Sequence, residues 1–393
     1  MALLAATDAL PLGAAALDEL AQGPFGVYVH VPWCASRCGY CDFNTYVPGR
    51  ARGAAPAAFA ATAAAELELA ARALAGAAPP AQSVFFGGGT PTLLDPAELA
   101  RVLRAVAGAF GLAPGAEVTV EANPETVDRT RLEALREAGF TRVSLGMQSA
   151  ARHVLATLER THTPGRAAAA AREARAAGFE HVSLDLIYGT PGERDDDWRA
   201  SLDAALAAEP DHVSAYALTL EPGTRMTARV RAGRLPAPDE EALARRYEIA
   251  DATLAAAGLR WYEISNWARG DGARCRHNLG YWTGGHWWPV GPGAHGHVDG
   301  IRFWTHRHPA AHARAVAAGT PPVAGHEVLD GDQRRLERLM LGLRLRDGLD
   351  ARELDAPRAA ALAADGLLDL TGGRARLTLA GRRLADRVVR ELA

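Results

Sequence analysis

Lysine is absent: all 43 basic residues of the 393-residue chain are arginine, set against 46 acids for a net charge of −3. That balance leaves no basic excess to hold a polyanion, which argues against a nucleic-acid-binding role. Long apolar runs are missing too. None approaches the roughly 18–20 residues of a membrane-spanning helix. Residues 1–20 carry no basic group ahead of their mildly apolar stretch, so they do not read as a secretory signal. Cysteines number only four, which makes a disulfide framework implausible in a chain this long. A reducing, cytoplasmic setting is the expectation, and any contact with a membrane would be peripheral. The lysine deficit and the abundance of alanine reflect nucleotide bias in the source genome and carry no functional content.

With so few cysteines, their placement carries information. Three fall in the run Cys34-Ala35-Ser36-Arg37-Cys38-Gly39-Tyr40-Cys41, just after the apolar stretch Gly26–Val31. Thiolates are the soft ligands that iron–sulfur clusters require. Three of them hold three irons of a 4Fe–4S cube and leave the fourth open, as a catalytic zinc keeps an open position. Two rival readings stand beside this one. Structural zinc usually takes four ligands in paired knuckles, whereas Cys275 lies far along the chain; a cluster that only carries electrons would use the same cysteines. The C-x₃-C-x₂-C spacing, with an aromatic before the last cysteine, resembles the radical S-adenosylmethionine (SAM) superfamily. That resemblance implies a 4Fe–4S cluster on Cys34, Cys38 and Cys41, with the methionyl amine and carboxylate of SAM on the open iron. It also implies a 5′-deoxyadenosyl radical when the reduced cluster splits the sulfonium.

Hydrophobic residues make up 48% of the chain, enough for one large core and a smaller module. Over the first two-thirds, strand-like runs alternate with helical stretches. The pattern predicts a helix over 57–77, then a strand over Ser83–Phe86 ending in Gly87-Gly88-Gly89-Thr90-Pro91. A helix over 95–110 follows, with Asp95 as N-cap and Pro96 at its first position. Strands over Glu117–Glu121, Arg142–Gly146, His181–Ile187 and His212–Leu220 come next, separated by helices over 128–138, 164–177 and 195–208. Such alternation implies parallel βαβ units. Counting Val27–Val31 first gives six strands, which suggests an incomplete β/α barrel, although a doubly wound sheet fits the same count.

Sites in parallel α/β folds assemble at the carboxyl ends of the strands, and the unusual residues lie there. The cysteines follow strand one, Gly87–Thr90 follow strand two, Glu121 ends strand three, Gln148 lies just past strand four and Asp185 late in strand five. Glycines let a ligand approach the backbone closely. Glu121 and Asp185 can accept hydrogen bonds from an ammonium or ribose hydroxyls, and Gln148 can donate or accept. Arg160 can pair with a carboxylate, and Tyr40 offers an aromatic edge near adenine. Alone, a triple glycine is a tight turn and a strand-end acid a helix cap; their common rim makes the case.

Gly26–Cys34 (GVYVHVPWC), the cysteine run, Phe86–Thr92 (FGGGTPT) and Val143–Ser149 (VSLGMQS) resemble the radical SAM branch related to oxygen-independent coproporphyrinogen III dehydrogenase. The likeness runs from about Pro24 to the C-terminus. It implies SAM contacts for Tyr28, Gly88, Gly89, Thr90, Glu121, Gln148, Arg160 and Asp185. The dehydrogenase continues its motif with a further cysteine two positions after the third; here Phe43 stands in Cys41-Asp42-Phe43-Asn44. That departure, with His277-Asn278-Leu279-Gly280-Tyr281-Trp282 and Gly291-Pro292-Gly293-Ala294-His295-Gly296, resembles the HemW-like heme chaperones. The resemblance implies heme as cargo and acceptor proteins such as respiratory cytochromes, membrane-bound ones included. Oxidative decarboxylation of a porphyrinogen and radical methyl transfer are the alternatives on this scaffold; Phe43 argues against the first. Whether SAM is cleaved in delivery stays open.

Residues 261–312 hold six of the eight tryptophans and seven of the thirteen histidines. Aromatic faces cover a flat macrocycle, and imidazole is a common heme ligand. His277 is the candidate axial ligand, with Tyr281 and Trp282 as candidate pocket walls. The competing role for His277 and Asn278 is a buried hydrogen-bonded pair shaping the loop beneath the cluster. Cys275 is a weaker thiolate candidate, and His306 and His308 read as solvated loop residues. From 333 the order helix, helix, hairpin, helix is winged-helix-like. Yet 13 arginines against 12 acids over 321–393 leave no basic stripe, which favours a lid or platform over DNA binding. The expected organisation is therefore α/β: a lead segment over 1–23, a partial six-stranded parallel β/α barrel of the radical SAM type over 24–225, a connecting region over 226–320 and a small winged-helix-like domain over 321–393.

Overall fold

The six strands read from the sequence form in order: β1 (Phe25–Val31), β2 (Ala81–Gly88), β3 (Leu112–Ala122), β4 (Arg142–Gln148), β5 (His181–Tyr188) and β6 (His212–Ala217). Each pairs parallel to the next. The structure, a computed structural model, describes residues 10–51 and 53–393; the first nine residues of the expected lead segment lie outside the described residues. The connecting helices form where the apolar spacing is helical. In Pro96–Phe110, Asp95 accepts a hydrogen bond from the Ala97 amide at 2.9 Å. Leu99, Val102, Leu103 and Val106, at i, i+3, i+4 and i+7, are buried as one stripe.

Parallel strands covered on both faces are usually apolar throughout. Here they alternate. Val118, Val120, Val143, Leu145, Val182, Leu184 and Val213 are buried in the hydrophobic core. Their neighbours Thr119, Glu121, Arg142, Ser144, Ser183, Asp185, His212 and Ser214 line a cavity instead. Because one face of all six strands lines that single cavity, the sheet curls around it without closing.

The sheet is also wider than six strands. Among the described residues it has twelve, in the order β12-β11-β10-β9-β1-β2-β3-β4-β5-β6-β8-β7. The additions are β7 (Arg260–Glu263), β8 (Asn266–Ala268), β9 (His286–Val290), β10 (His295–Val298), β11 (Ile301–Thr305) and β12 (Val323–Val328). β9 lies parallel beside β1, and β10 to β12 continue antiparallel. These strands are three to six residues long and several are rich in tryptophan and histidine, so they lack the β-branched runs that marked the first six.

A second hydrophobic core gathers Leu343, Leu362, Ala375 and Val388. The expected hairpin pairs Leu368 with Leu377, and a third short strand, Leu349–Asp350, joins its other side. The expected last helix is two, Leu379–Arg383 and Ala385–Leu392, because Leu384 leaves helical backbone at φ −117° and ψ 26°. Arg382 fastens this unit to the larger one, reaching both Asp251 oxygens at 2.9 Å and stacking 4.3 Å over the Trp261 ring. No described helix is long and apolar enough to cross a membrane.

Candidate functional site

The cavity, about 810 Å³, is lined by all three loop cysteines and by all nine residues expected at SAM. The cysteine loop is tied to the turn after β2: Gly89 N–H donates to Val31 O at 2.8 Å and Thr90 N–H to Trp33 O at 2.7 Å. A Cβ at Gly89 would lie 2.6 Å from Trp33 O, so only glycine permits this approach. Thr90 Oγ1 donates to Cys34 Sγ at 3.7 Å, and Arg160 Nη1 to Cys38 Sγ at 3.5 Å. Arg160 Nε is buried with no partner. The three cysteines are unpaired and half-buried. Burial pushes the Cys41 thiol up to about 11 and raises Cys34, so a cation must displace the protons before the sulfurs act as thiolates. Cys275 cannot complete a four-sulfur zinc site with them, because its thiol is buried 3.5 Å from Glu117 Oε1 in another part of the cavity wall. Three soft donors, with hydrogen-bond donors aimed at two of them, fit a three-cysteine 4Fe–4S cluster.

The carboxylates on this rim hold their protons tightly. Burial and the neighbouring Asp185 raise Glu121 to about 8, although Gly88 N–H donates to its Oε2 at 3.1 Å. Asp185 is raised by burial as well, partly offset by Ser144 Oγ, which donates at 2.8 Å. Two such acids on a buried wall are a place where an ammonium would be welcome. Gln148 sits at φ 64°, where β4 and β5 shift register. Left-handed backbone at a non-glycine residue is strained, and such strain gathers at ligand sites.

The lower end of the cavity differs. The helix Arg276–Trp282 carries His277 beneath the strands. Its Nδ1 bonds Ser83 Oγ at 3.0 Å, its Nε2 bonds Tyr281 OH at 2.7 Å, and its backbone N–H donates to Glu117 Oε1 at 3.1 Å. Glu117 pairs with Arg142 at 3.0 Å, both almost fully buried, and Arg142 also donates to Ala273 O and Arg274 O at 2.7 and 3.1 Å. His212 joins in through Ser183 Oγ at 2.7 Å and Tyr262 OH at 2.8 Å. Burial lowers His277 to about 4, so its imidazole is neutral with both nitrogens engaged. His277 and Tyr281 line the cavity and Trp282 does not. His308 is exposed in the bend ahead of a helix, where its ring lies 5.8 Å from Tyr46 and its Nδ1 accepts the Ala310 N–H at 3.2 Å as the helix cap.

The sequence reading passed over the Glu117–Arg142 pair and the chain Tyr28–His30–Asn44. Tyr28 OH bonds His30 Nδ1, and His30 Nε2 bonds Asn44 O, each at 3.0 Å. The signal was present in Glu117-Val-Thr119-Val-Glu121 and Ser183-Leu-Asp185: polar residues at every second position of strands otherwise expected to be apolar.

Residues 28–205 match the model of the Radical SAM superfamily, and residues 329–384 that of the HemN C-terminal domain. The heme chaperone HemW of Mycobacterium tuberculosis is 55% identical over 385 residues, spanning 97% of this chain and 98% of that protein. The chain belongs to the HemW family. The HemW of Escherichia coli is 36% identical over 292 residues, spanning 73% of this chain and 75% of that one. Among solved structures, E. coli coproporphyrinogen III oxidase (HemN) superposes with a TM-score of 0.81 over 96% of this chain and 92% of that one. At 21% identity that likeness shows the shared α/β radical SAM fold. On this HemW-family scaffold Phe43, 56% exposed, stands beside the cysteines on the cavity wall.

Proposed function

We propose that this chain is a heme chaperone that carries a 4Fe–4S cluster on Cys34, Cys38 and Cys41, binds SAM against the rim and passes heme to acceptor proteins such as respiratory cytochromes. The observation that carries this reading is the 55% identity, over nearly the whole of both chains, to a protein named a heme chaperone. The rim geometry supports the cofactor part. Arg160, with Nε unpartnered, would take the methionyl carboxylate; Glu121 and Asp185 would receive the ammonium and a ribose hydroxyl; Gly88, Gly89 and Thr90 would present backbone, Gln148 its amide, and Tyr28 and Tyr40 their rings. A reduced cluster held by Cys34, Cys38 and Cys41 would supply an electron to the sulfonium of SAM.

The finer architecture belongs to the same reading. β1 to β6 act as a partial six-stranded barrel within residues 24–225, the stretch 226–320 widens and plugs it, and the winged-helix-like unit over 321–393 serves as a platform at its open edge. His277 acts on the plug, holding β2 to the helix below it. The test is a heme titration of the anaerobically reconstituted protein, followed at the Soret band, beside an assay for product from coproporphyrinogen III. Saturable stoichiometric binding with no decarboxylated product is the expected result. No saturable heme uptake by protein with an intact cluster would overturn the reading.

A further inference from the structure

Heme is a flat dianion with axial positions on its iron, so a docking site needs a reachable imidazole or thiolate, an aromatic plane and a cation. Several of the imidazoles are already spent. His30, His212, His277 and His297 each bond through both ring nitrogens, and His312 is buried against Glu66 at 3.1 Å. Cys275 is buried, with its thiol pushed up by burial.

His295 is different. It is exposed at the start of β10, and no hydrogen bond among the described residues engages its ring. It pairs across to Trp304 on β11, the rings 5.9 Å apart and inclined by 31°. Trp304 in turn lies over Gly325 on β12, where a Cβ would fall 2.6 Å from the indole. Arg307, exposed and in no ion pair among the described residues, is close by. Burial first, then the Arg307 charge, lowers the His295 pKa, which keeps the imidazole in its ligating, neutral form.

Register places this patch. Tyr28 lies opposite Pro289, Gly26 opposite Trp287, and Trp287 opposite His297. Side chains alternate along a strand, so His295, His297 and Trp304 share the sheet face of Tyr28 and His30. The patch therefore lies on the sheet face that lines the cavity, beyond β1 and outside the cavity itself. Asn44 Nδ2 joins the two regions, donating to Pro292 O at 2.9 Å and Arg307 O at 2.8 Å.

We propose that heme docks on this face, with His295 as axial ligand, the edge of Trp304 toward the macrocycle and Arg307 on a propionate. The inference rests on the chaperone reading and gives its cargo a place. The test titrates the anaerobically reconstituted full chain with heme, for the parent, His295→Gly, Arg307→Ala and His277→Ala, with circular dichroism as a check of folding. The parent should show a saturable imidazole-ligated Soret band. His295→Gly should shift that band and weaken binding by about tenfold or more, with added imidazole restoring the band. Arg307→Ala should weaken binding without moving the band, and folded His277→Ala should keep the parent's spectrum. A His295→Gly spectrum and affinity equal to the parent's overturn the assignment of His295 while the chaperone reading stands. A parent that takes up no heme overturns both.

Discussion

The two ends of the cavity are built on opposite principles. Below, polar groups answer one another: His277 spends both nitrogens, Glu117 takes Arg142, the His277 amide and the Cys275 thiol, and His212 bridges two hydroxyls. Above, groups are left wanting. Arg160 Nε has no partner, Arg160 and Thr90 reach toward sulfur, and Glu121 and Asp185 are pushed toward their neutral forms. The floor has its own exceptions in Arg142 Nη1 and Thr119 Oγ1, buried without partners. Even so, residue type does not separate scaffold from site in this molecule. The degree to which each group is satisfied does.

The sharpest way to break that contrast is to unpair the floor. Arg142→Met would leave Glu117 as a buried charge without its cation, a change that typically costs about 3–5 kcal/mol. Chemical denaturation should show a loss of that order, and Glu117→Gln added to Arg142→Met should recover much of it. At the rim, Arg160→Met should do the reverse. Stability should change little, because the guanidinium gives up only its bonds to Gly146 O and Cys38 Sγ, whereas SAM affinity should fall by about tenfold or more. Equal losses of stability at both ends would erase the distinction.

Much of the rim was legible in the sequence because its residues follow the carboxyl ends of strands with strong β-branched patterns, and a cysteine triplet has few structural uses. The plug was not. Its residues carry the chemistry of a ligand site, histidine, tyrosine and cysteine, and nothing in their spacing told that Ser83 and Glu117, distant in sequence, would use them up. The outer strands were missed for a related reason: β9 and β10 contain Trp287, Trp288, His295 and His297, residue types that suggested a surface for a macrocycle and gave no sign of the pleated sheet that presents them. Alternation of polar with apolar residues in β3 to β6 was the overlooked clue that the cavity reaches the floor.

A subtler contrast comes from pH. Glu121 titrates at about 8 in the folded chain and near 4.3 when unfolded. The folded state therefore keeps a proton that the unfolded state releases, so stability without ligand should fall as pH rises from about 4.5 to 8 and level off above. Asp185, shifted in the same direction, steepens the lower part of that fall. Glu121→Gln should flatten the Tm profile over this window. Binding of SAM should reverse the preference, since an ammonium favours the ionised carboxylate; uptake below pH 8 should then release a proton, measurable by calorimetry in two buffers of different ionisation enthalpy.

The smallest expected effect tests the joint between rim and outer sheet. Asn44 donates both amide protons to backbone carbonyls, Pro292 O and Arg307 O, while its own carbonyl meets His30. Asn44→Ala removes both bonds, leaving Pro292 O to water and Arg307 O to the Tyr46 hydroxyl, which donates to it at 3.2 Å, and should cost about 1–2 kcal/mol. The cluster should still assemble, since no sulfur contact is lost. Asn44→Asp keeps the shape but sets a carboxylate oxygen against two carbonyl oxygens, replacing attraction with repulsion. It should therefore be worse than alanine in Tm and lose its cluster faster in air. If alanine and aspartate fall equally, Asn44 only fills space, and the cysteine loop and the His295 face are held together by something other than this pair of hydrogen bonds.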